Sequence, residues 1–221
     1  MDIKERFRRW FKLRFAIIYP FGIFVILFSN SDDKSIIQSI GLIIAGLLLR
    51  LWANSYAIKL DKLTTSGPYG YVRHPLYLGT MFLVVGFVIM LKAYYIGISF
   101  IILMTVVYYR TIKKEEVMLE EKFKDTFIRY KKKVPAIFPT IFPYREGEKW
   151  SFSFRRLIKS QEYKTFLWVT IFMIAFHLKD EMLIEHETVD VKILILFVSA
   201  FILGMFDFIG EIIRRKKEQL A

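Results

Sequence analysis

Residues 75–109 read PLYLGTMFLVVGFVIMLKAYYIGISFIILMTVVYY, and the only charge among them is Lys92. Two uncharged runs, Pro75–Leu91 and Ala93–Tyr109, stand on either side of it. Each is about as long as a helix must be to cross the hydrocarbon core of a bilayer when its flanks snorkel. The chain therefore goes out through a membrane and comes back. Similar runs extend from Phe15 to Ser31, Ser35 to Leu49, Thr165 to Leu178 and Ile193 to Phe206. The second continues through Arg50 to Ile58, and Lys164, Lys179 and Lys192 lengthen the last two by snorkelling. The expected fold is all-α: a polytopic membrane helical bundle of about six transmembrane helices plus a cytoplasmic amphipathic helix.

Composition agrees. The 221 residues are 55% hydrophobic and 17% aromatic, and the mean hydropathy is +0.38. That is more apolar than the roughly 45–50% of soluble domains, and it excludes a disordered chain. The absence of Cys excludes disulfides, thiolate metal sites and Cys nucleophiles. Lys and Arg number 33 against 21 Asp and Glu, a net charge of +12. With both termini in the cytoplasm, the outer loops hold four basic residues, Lys34, Lys92, Lys179 and Lys192, against seven acidic ones. The net positive charge then lies wholly on the inner face, as the positive-inside rule requires. It reads as orientation and contact with anionic lipid, and no nucleic-acid module accompanies it.

The first run looks superficially like a secretory signal. It ends in Ser29-Asn30-Ser31-Asp32-Asp33 rather than a small-residue cleavage site, so a retained helix is expected, bent at Pro20. Residues 1–14 suit an interfacial helix or a simple topology anchor. Residues 1–140 form the expected core, with a turn-rich loop at 59–79 and a charged helix at 110–134. Residues 141–221 are a connector and a C-terminal helical hairpin of unknown role.

Two segments carry chemistry. The loop runs LTTSGPYGYVRHPLYLG from Leu63 to Gly79. Gly67, Pro68 and Gly70 dictate a tight turn. Tyr69, Tyr71, Arg73, His74 and Tyr77 gather polar groups before a span, and Pro75 suits a first helical position. The helix start and its free amides would then face the loop, ready for an anion. The same stretch also fits an interfacial aromatic belt with a snorkelling arginine. In the second segment, Ile112, Leu119, Phe123, Phe127, Tyr130 and Val134 recur at helical spacing. Stepping back three and four residues from Leu119 lands on Glu116 and Glu115. Carboxylates on a packing face need partners, although Lys113 and Lys114 would balance an exposed pair equally well. An out-and-back hairpin brings His74 and Glu115 to the same membrane face.

These residues resemble a known group. Gly67-Pro68-Tyr69-Gly70-Tyr71-Val72-Arg73-His74-Pro75-Leu76-Tyr77-Leu78-Gly79, then Glu115-Glu116, Leu119, Phe123, Tyr130, Val134-Pro135 and Pro139, are similar in order and spacing to the integral-membrane isoprenylcysteine carboxyl methyltransferase and phospholipid methyltransferase family. The resemblance covers about residues 50–140. It implies S-adenosylmethionine as cofactor. It also implies a pocket lined by Asp61, Lys62, Leu63, Thr64, Tyr69, His74, Pro75, Leu76 and Tyr77, with Glu115 holding the cofactor's amino group. A carboxylate and tyrosine faces suit the ammonium and sulfonium of that molecule. A lipidic or amphiphilic acceptor is implied, with Arg73 and Arg110 as candidate contacts. His74 or Glu116 would be the base if the acceptor is a protonated amine. The carboxyl methyltransferases carry an arginine one turn before the first glutamate. Thr111 stands there in this chain, and Arg110 is offset by about 100°, which argues against a prenylcysteine carboxylate.

Other polar residues have simpler readings. Arg50 snorkels or pairs inside the bundle, and Asn54 is within reach of the cofactor because its span ends beside the loop. His177 and His186 are interfacial or solvated, and Asp207 and Glu211 face Arg214 and Arg215. An NADPH-dependent sterol-type membrane reductase shares a similar Arg-His-Pro loop, but that family carries Asp-Glu where this chain has Glu115-Glu116. A non-enzymatic scaffold or transporter would need polar groups at mid-membrane, and these spans are nearly all apolar.

Overall fold

The computed structural model describes residues 31–58 and 62–183, with isolated helical positions between 194 and 205. Every regular element among them is helical. The helices are α1 (Asp33–Tyr56), α2 (Pro75–Met90), α3 (Tyr94–Lys133), α4 (Phe154–Ser160) and α5 (Tyr163–Leu183), with a short 3-10 turn at Gly67–Gly70 before α2. The N-terminal interfacial segment and the first expected span lie outside the described residues, as do His186, Asp207 and Glu211. Of the sixth expected span only isolated positions are described.

α1 starts where Asp32 accepts from the Ser35 N–H at 2.8 Å and Ser35 Oγ accepts from the Asp32 N–H at 3.1 Å. This reciprocal cap satisfies two amides that a helix start leaves orphaned. Lys92, in the turn between α2 and α3, reaches the same Asp32. Lys92 and the Ser35 amide hold the Asp32 carboxyl at about 2. Ser35 Oγ also donates to the Met90 carbonyl at 2.7 Å, so the start of α1 meets the end of α2 and the two run antiparallel.

Glycines set the closeness of that pair. A Cβ on Gly46 would lie 2.7 Å from the Gly79 carbonyl, and one on Gly86 would lie 2.6 Å from Ile43. Small residues at such crossings let helix backbones approach in a membrane, where packing replaces the hydrophobic effect. Ile43, Leu47, Leu83 and Met90 fill the seam, and Val169 and Phe176 of α5 join them. The outer faces stay apolar. Ile37, Ile44 and Leu48 on α1 and Ile98, Ile102 and Val106 on α3 are all exposed. Such a surface suits lipid rather than water. α1 and α3 are long and apolar enough to cross a membrane, whereas α2 and the apolar stretch Tyr163–Leu178 are shorter.

The amphipathic helix expected at 110–134 is not a separate element. It continues the preceding span without a break at Tyr109, because nothing there interrupts helical hydrogen bonding. At 40 residues α3 is about 60 Å long, roughly twice the hydrocarbon thickness. Its break falls instead at Lys124, with φ 45° and ψ −125°. That break re-aims the last turns. Phe127, Tyr130 and Val134 pack with Leu63, Leu119, Phe123 and Tyr144 over the loop that precedes α2.

Candidate active site

The site forms where α1 ends and α2 begins. Gly67 takes φ +61°, a conformation that costs a residue with a Cβ, and its open side is closed by the Tyr56 ring, 2.6 Å from where a Cβ would be. The 3-10 turn follows, and the chain beyond α3 is then laced to it. The Arg73 amide donates to Pro135 O (2.9 Å) and the His74 amide to Ala136 O (3.0 Å). In return, Thr140 donates to Tyr71 O and Tyr144 to Gly70 O. The Arg-His segment is thus clamped from both sides.

Arg73 points inward. Its Nε and Nη2 donate to Glu116 Oε1 at 3.0 and 2.5 Å, and its Nη1 donates to the Lys131 carbonyl at 3.0 Å and to the Val134 carbonyl. A cation at the carbonyl end of α3 is placed where the helix dipole favours it. Glu116 is 3% exposed, and Lys131 Nζ lies 3.2 Å from its other oxygen. Burial alone would raise the Glu116 pKa. His74, Arg73 and Lys131 overcome that and hold it at about 2.

The neighbouring Glu115 has different surroundings. It accepts from the Tyr77 hydroxyl at 2.6 Å and has no Lys or Arg partner among the described residues. His74 lies between the two carboxylates, with Nδ1 3.5 Å from Glu115 and Nε2 3.5 Å from Glu116. Its Nε2 is buried and completes no hydrogen bond among the described residues. Burial and the Glu115 charge push the Tyr69 phenol upward, so it stays a neutral donor. The helix-start amides are less available than expected. Pro75 has none, and Tyr77 and Leu78 both donate to His74 O.

A cavity of about 430 Å³ opens among these groups. Lys62, Leu63, Thr64 and Tyr69 line it from the loop, His74, Pro75, Leu76 and Tyr77 from the start of α2, and Glu115 from α3. Asp61 lies outside the described residues. Glu116 is not on this wall. With Arg73, which lines both, it borders a second cavity of about 210 Å³ beside Met81, Tyr108 and Ile112. Arg110 is exposed and lines neither cavity.

Sequence reasoning did not assign several wall residues. Phe123, Phe127 and Tyr130 line the cavity as well as packing α3. Their apolar stripe was visible, but its second use was not. Arg50 also lines the cavity, paired with Glu162 at 2.5 Å. An arginine interrupting an apolar run was the available signal for it, and Glu162 offered none. Asn54 is bonded to Glu162 rather than lining the cavity.

Similarity to known proteins covers part of the chain. Residues 19–126, just under half of the chain, match the phospholipid methyltransferase family model. The chain is 31% identical over 104 residues to the cobalt-zinc-cadmium resistance protein CzcN of Cupriavidus metallidurans, covering 46% of this chain and 48% of that protein. It is 31% identical over 98 residues to the nickel-cobalt-cadmium resistance protein NccN of Alcaligenes xylosoxydans xylosoxydans, covering 43% and 46%. It is also 34% identical over 83 residues to the protein-S-isoprenylcysteine O-methyltransferase of Schizosaccharomyces pombe, covering 38% and 35%. The chain thus spans about half the length of the first two and about a third of the last. No solved structure matches.

Proposed function

We propose that the chain is an S-adenosylmethionine-dependent membrane methyltransferase acting on a lipidic or amphiphilic acceptor. The observation that carries this reading is Glu115. It is a carboxylate at a cavity of about 430 Å³, flanked by tyrosines and without a Lys or Arg partner among the described residues. The other charged side chains on that wall are compensated: Arg73 by Glu116, Arg50 by Glu162 and Lys62 by Glu148. Among the described residues the cavity wall therefore keeps one carboxylate without a Lys or Arg partner, which suits a cationic ligand, and the cavity's volume lies in the range of small-molecule sites.

Glu115 and the Tyr77 hydroxyl would hold the cofactor's ammonium, and the Tyr69 and Tyr77 faces would add cation–π attraction. Leu63, Leu76 and Phe123 would exclude water from its apolar parts. When bound, S-adenosylmethionine supplies an electrophilic methyl group. The protein's share is then alignment, the largest contribution available to it. If the acceptor is an amine, His74 is the better base. Glu116 is already engaged by three partners and held far below neutral pH, so it binds a released proton poorly. Its role in this reading is to hold Arg73.

The charge distribution along the chain supports a site at the cytoplasmic face, with both termini on that side and six spans in all. Residues 1–140 are the methyltransferase core. Two relatives are named for metal resistance, but among the described residues no group of three or more His, Asp or Glu could hold a metal ion.

The test is calorimetric titration of detergent-purified protein with S-adenosylhomocysteine, using NADPH as control. Binding that weakens at least about tenfold in Glu115→Gln is the expected result. Binding of NADPH in place of S-adenosylhomocysteine would move the protein to the reductase class.

A further inference from the structure

Arg50 sits near the C-terminal end of α1, in an apolar helix, with its side chain 19% exposed. The packing around it is built to hold an arginine. Gly79 clears its path, since a Cβ there would fall 2.7 Å from Arg50 Cγ. Nη1 donates to Thr80 Oγ1 at 2.5 Å and to the Leu76 carbonyl at 3.5 Å. Nε donates to Glu162 Oε1 at 2.5 Å. The other Glu162 oxygen accepts from Asn54 Nδ2 at 3.2 Å, one turn further along α1. Glu162 itself is only 8% exposed. The remaining nitrogen, Nη2, makes no hydrogen bond among the described residues, and Arg50 lines the 430 Å³ cavity.

Glu162 comes from the segment that follows the family match at residues 19–126. That segment is tied to the site at several points. Ser66 Oγ donates to Glu148 O at 2.8 Å, and Arg156 Nε donates to Ser55 O at 2.9 Å. Gln161, with φ 60°, turns the chain from α4 into α5 and places Glu162 just before Tyr163.

We propose that Glu162 is a positioning residue. It holds Arg50 so that Nη2 offers its two N–H donors to an anionic oxygen group, a carboxylate or a phosphate, on a molecule bound in the cavity. Fixing Nε and Nη1 removes the rotamer freedom an arginine otherwise loses on binding, and a guanidinium presents such groups with a planar fork. Glu162 also offsets the cost of keeping this cation in an apolar span. The site therefore reads both signs of charge, a cation at Glu115 and an anion at Arg50. This inference rests on the proposed function for the identity of the first ligand.

The experiment uses matched probes. Detergent-purified wild type, Arg50→Gln, Glu162→Gln and Glu162→Asp are titrated with S-adenosylhomocysteine and with its decarboxylated analogue, which keeps the ammonium. They are also titrated with dioctanoyl phosphatidylglycerol and with dioctanoylglycerol, which lacks the phosphate. Arg50→Gln and Glu162→Gln should weaken one anionic probe about tenfold while leaving its anion-free counterpart within about twofold. Glu162→Asp should recover part of that loss. The affected pair tells whether the anion belongs to the nucleoside or to a lipid. Equal losses for both members of each pair, or no loss at all, would overturn the proposal, because a merely structural role does not distinguish them. The wild type supplies a check free of folding defects: a carboxylate read by Arg50 makes S-adenosylhomocysteine bind more tightly than its analogue, and a phosphate read there makes phosphatidylglycerol bind more tightly than dioctanoylglycerol. A wild type that binds none of the four overturns the functional reading as well. One that binds S-adenosylhomocysteine while the variants match it overturns this inference alone.

Discussion

Two arginine–glutamate pairs brace the start of α2, one on the α3 side and one on the α5 side. Arg73 and Glu116 are 43 residues apart, and the α2–α3 hairpin brings them together. Arg50 and Glu162 are 112 residues apart, and the second partner arrives by way of the connector and α4. The first pair is the more buried, with side chains 9% and 3% exposed against 19% and 10%. It is also more completely satisfied, since Arg73 binds two carbonyls at the end of α3 and Glu116 binds Lys131. Arg50 keeps one nitrogen for the cavity. The comparison separates a pair fully engaged by its neighbours from one that leaves an arginine nitrogen unbonded among the described residues.

The sharpest test of that contrast is stability. Glu116→Ala leaves the Arg73 guanidinium buried without its carboxylate, and should cost about 3–5 kcal/mol. Glu162→Ala leaves a more exposed arginine and should cost less. Thermal or denaturant unfolding in one detergent measures both, and equal losses would erase the distinction.

A pH series sharpens it next. The folded Glu116 carboxyl titrates at about 2, against 4.5 for an ordinary glutamate. Because the folded value is depressed, its stabilisation is fully present above about pH 4.5 and is lost as pH falls from 4.5 toward 2. Wild-type melting temperature should therefore fall across that window, and Glu116→Gln should fall less steeply. Parallel curves would mean that the pair does not govern acid stability.

The smallest effect expected is at Lys124. Its φ of 45° and ψ of −125° suit glycine far better than lysine. The break there directs the Lys131 and Val134 carbonyls toward Arg73. Lys124→Gly should stabilise the protein by about 1 kcal/mol without weakening S-adenosylhomocysteine binding. A loss of stability would show that the break is imposed by packing at no local cost.

Much of the site was legible because its parts sit close together in the chain or on one helical hairpin. Turn chemistry at Gly67–Gly70, a proline opening α2 and the phase of Glu115 on an apolar stripe are local properties. An out-and-back hairpin adds the single long-range fact needed to join them. Adjacent glutamates could be recognised as unusual, but not told apart. On a helix they differ by about 100°. Only the neighbours decide which of them faces Arg73 and which faces the cavity.

The boundary expected near Tyr109 failed for a related reason. The change from apolar to charged residues marks where α3 leaves the apolar environment, not where hydrogen bonding stops. The actual break at Lys124 carries no glycine or proline, and packing of Phe127 and Tyr130 over the loop accounts for it.

By itself, then, the sequence determined the helical class, the apolar runs, the charge asymmetry and the composition of the loop around His74. Each of these follows from hydropathy, periodicity or backbone restriction within a few turns. Tertiary structure alone decided that Arg50 belongs to the cavity wall, that Glu162 pairs with it there, and that Glu115 faces the cavity while Glu116 faces Arg73. Those outcomes depend on which charges find partners when helices distant in sequence are packed. A buried ionisable group takes its character from whatever lies within a few ångströms of it.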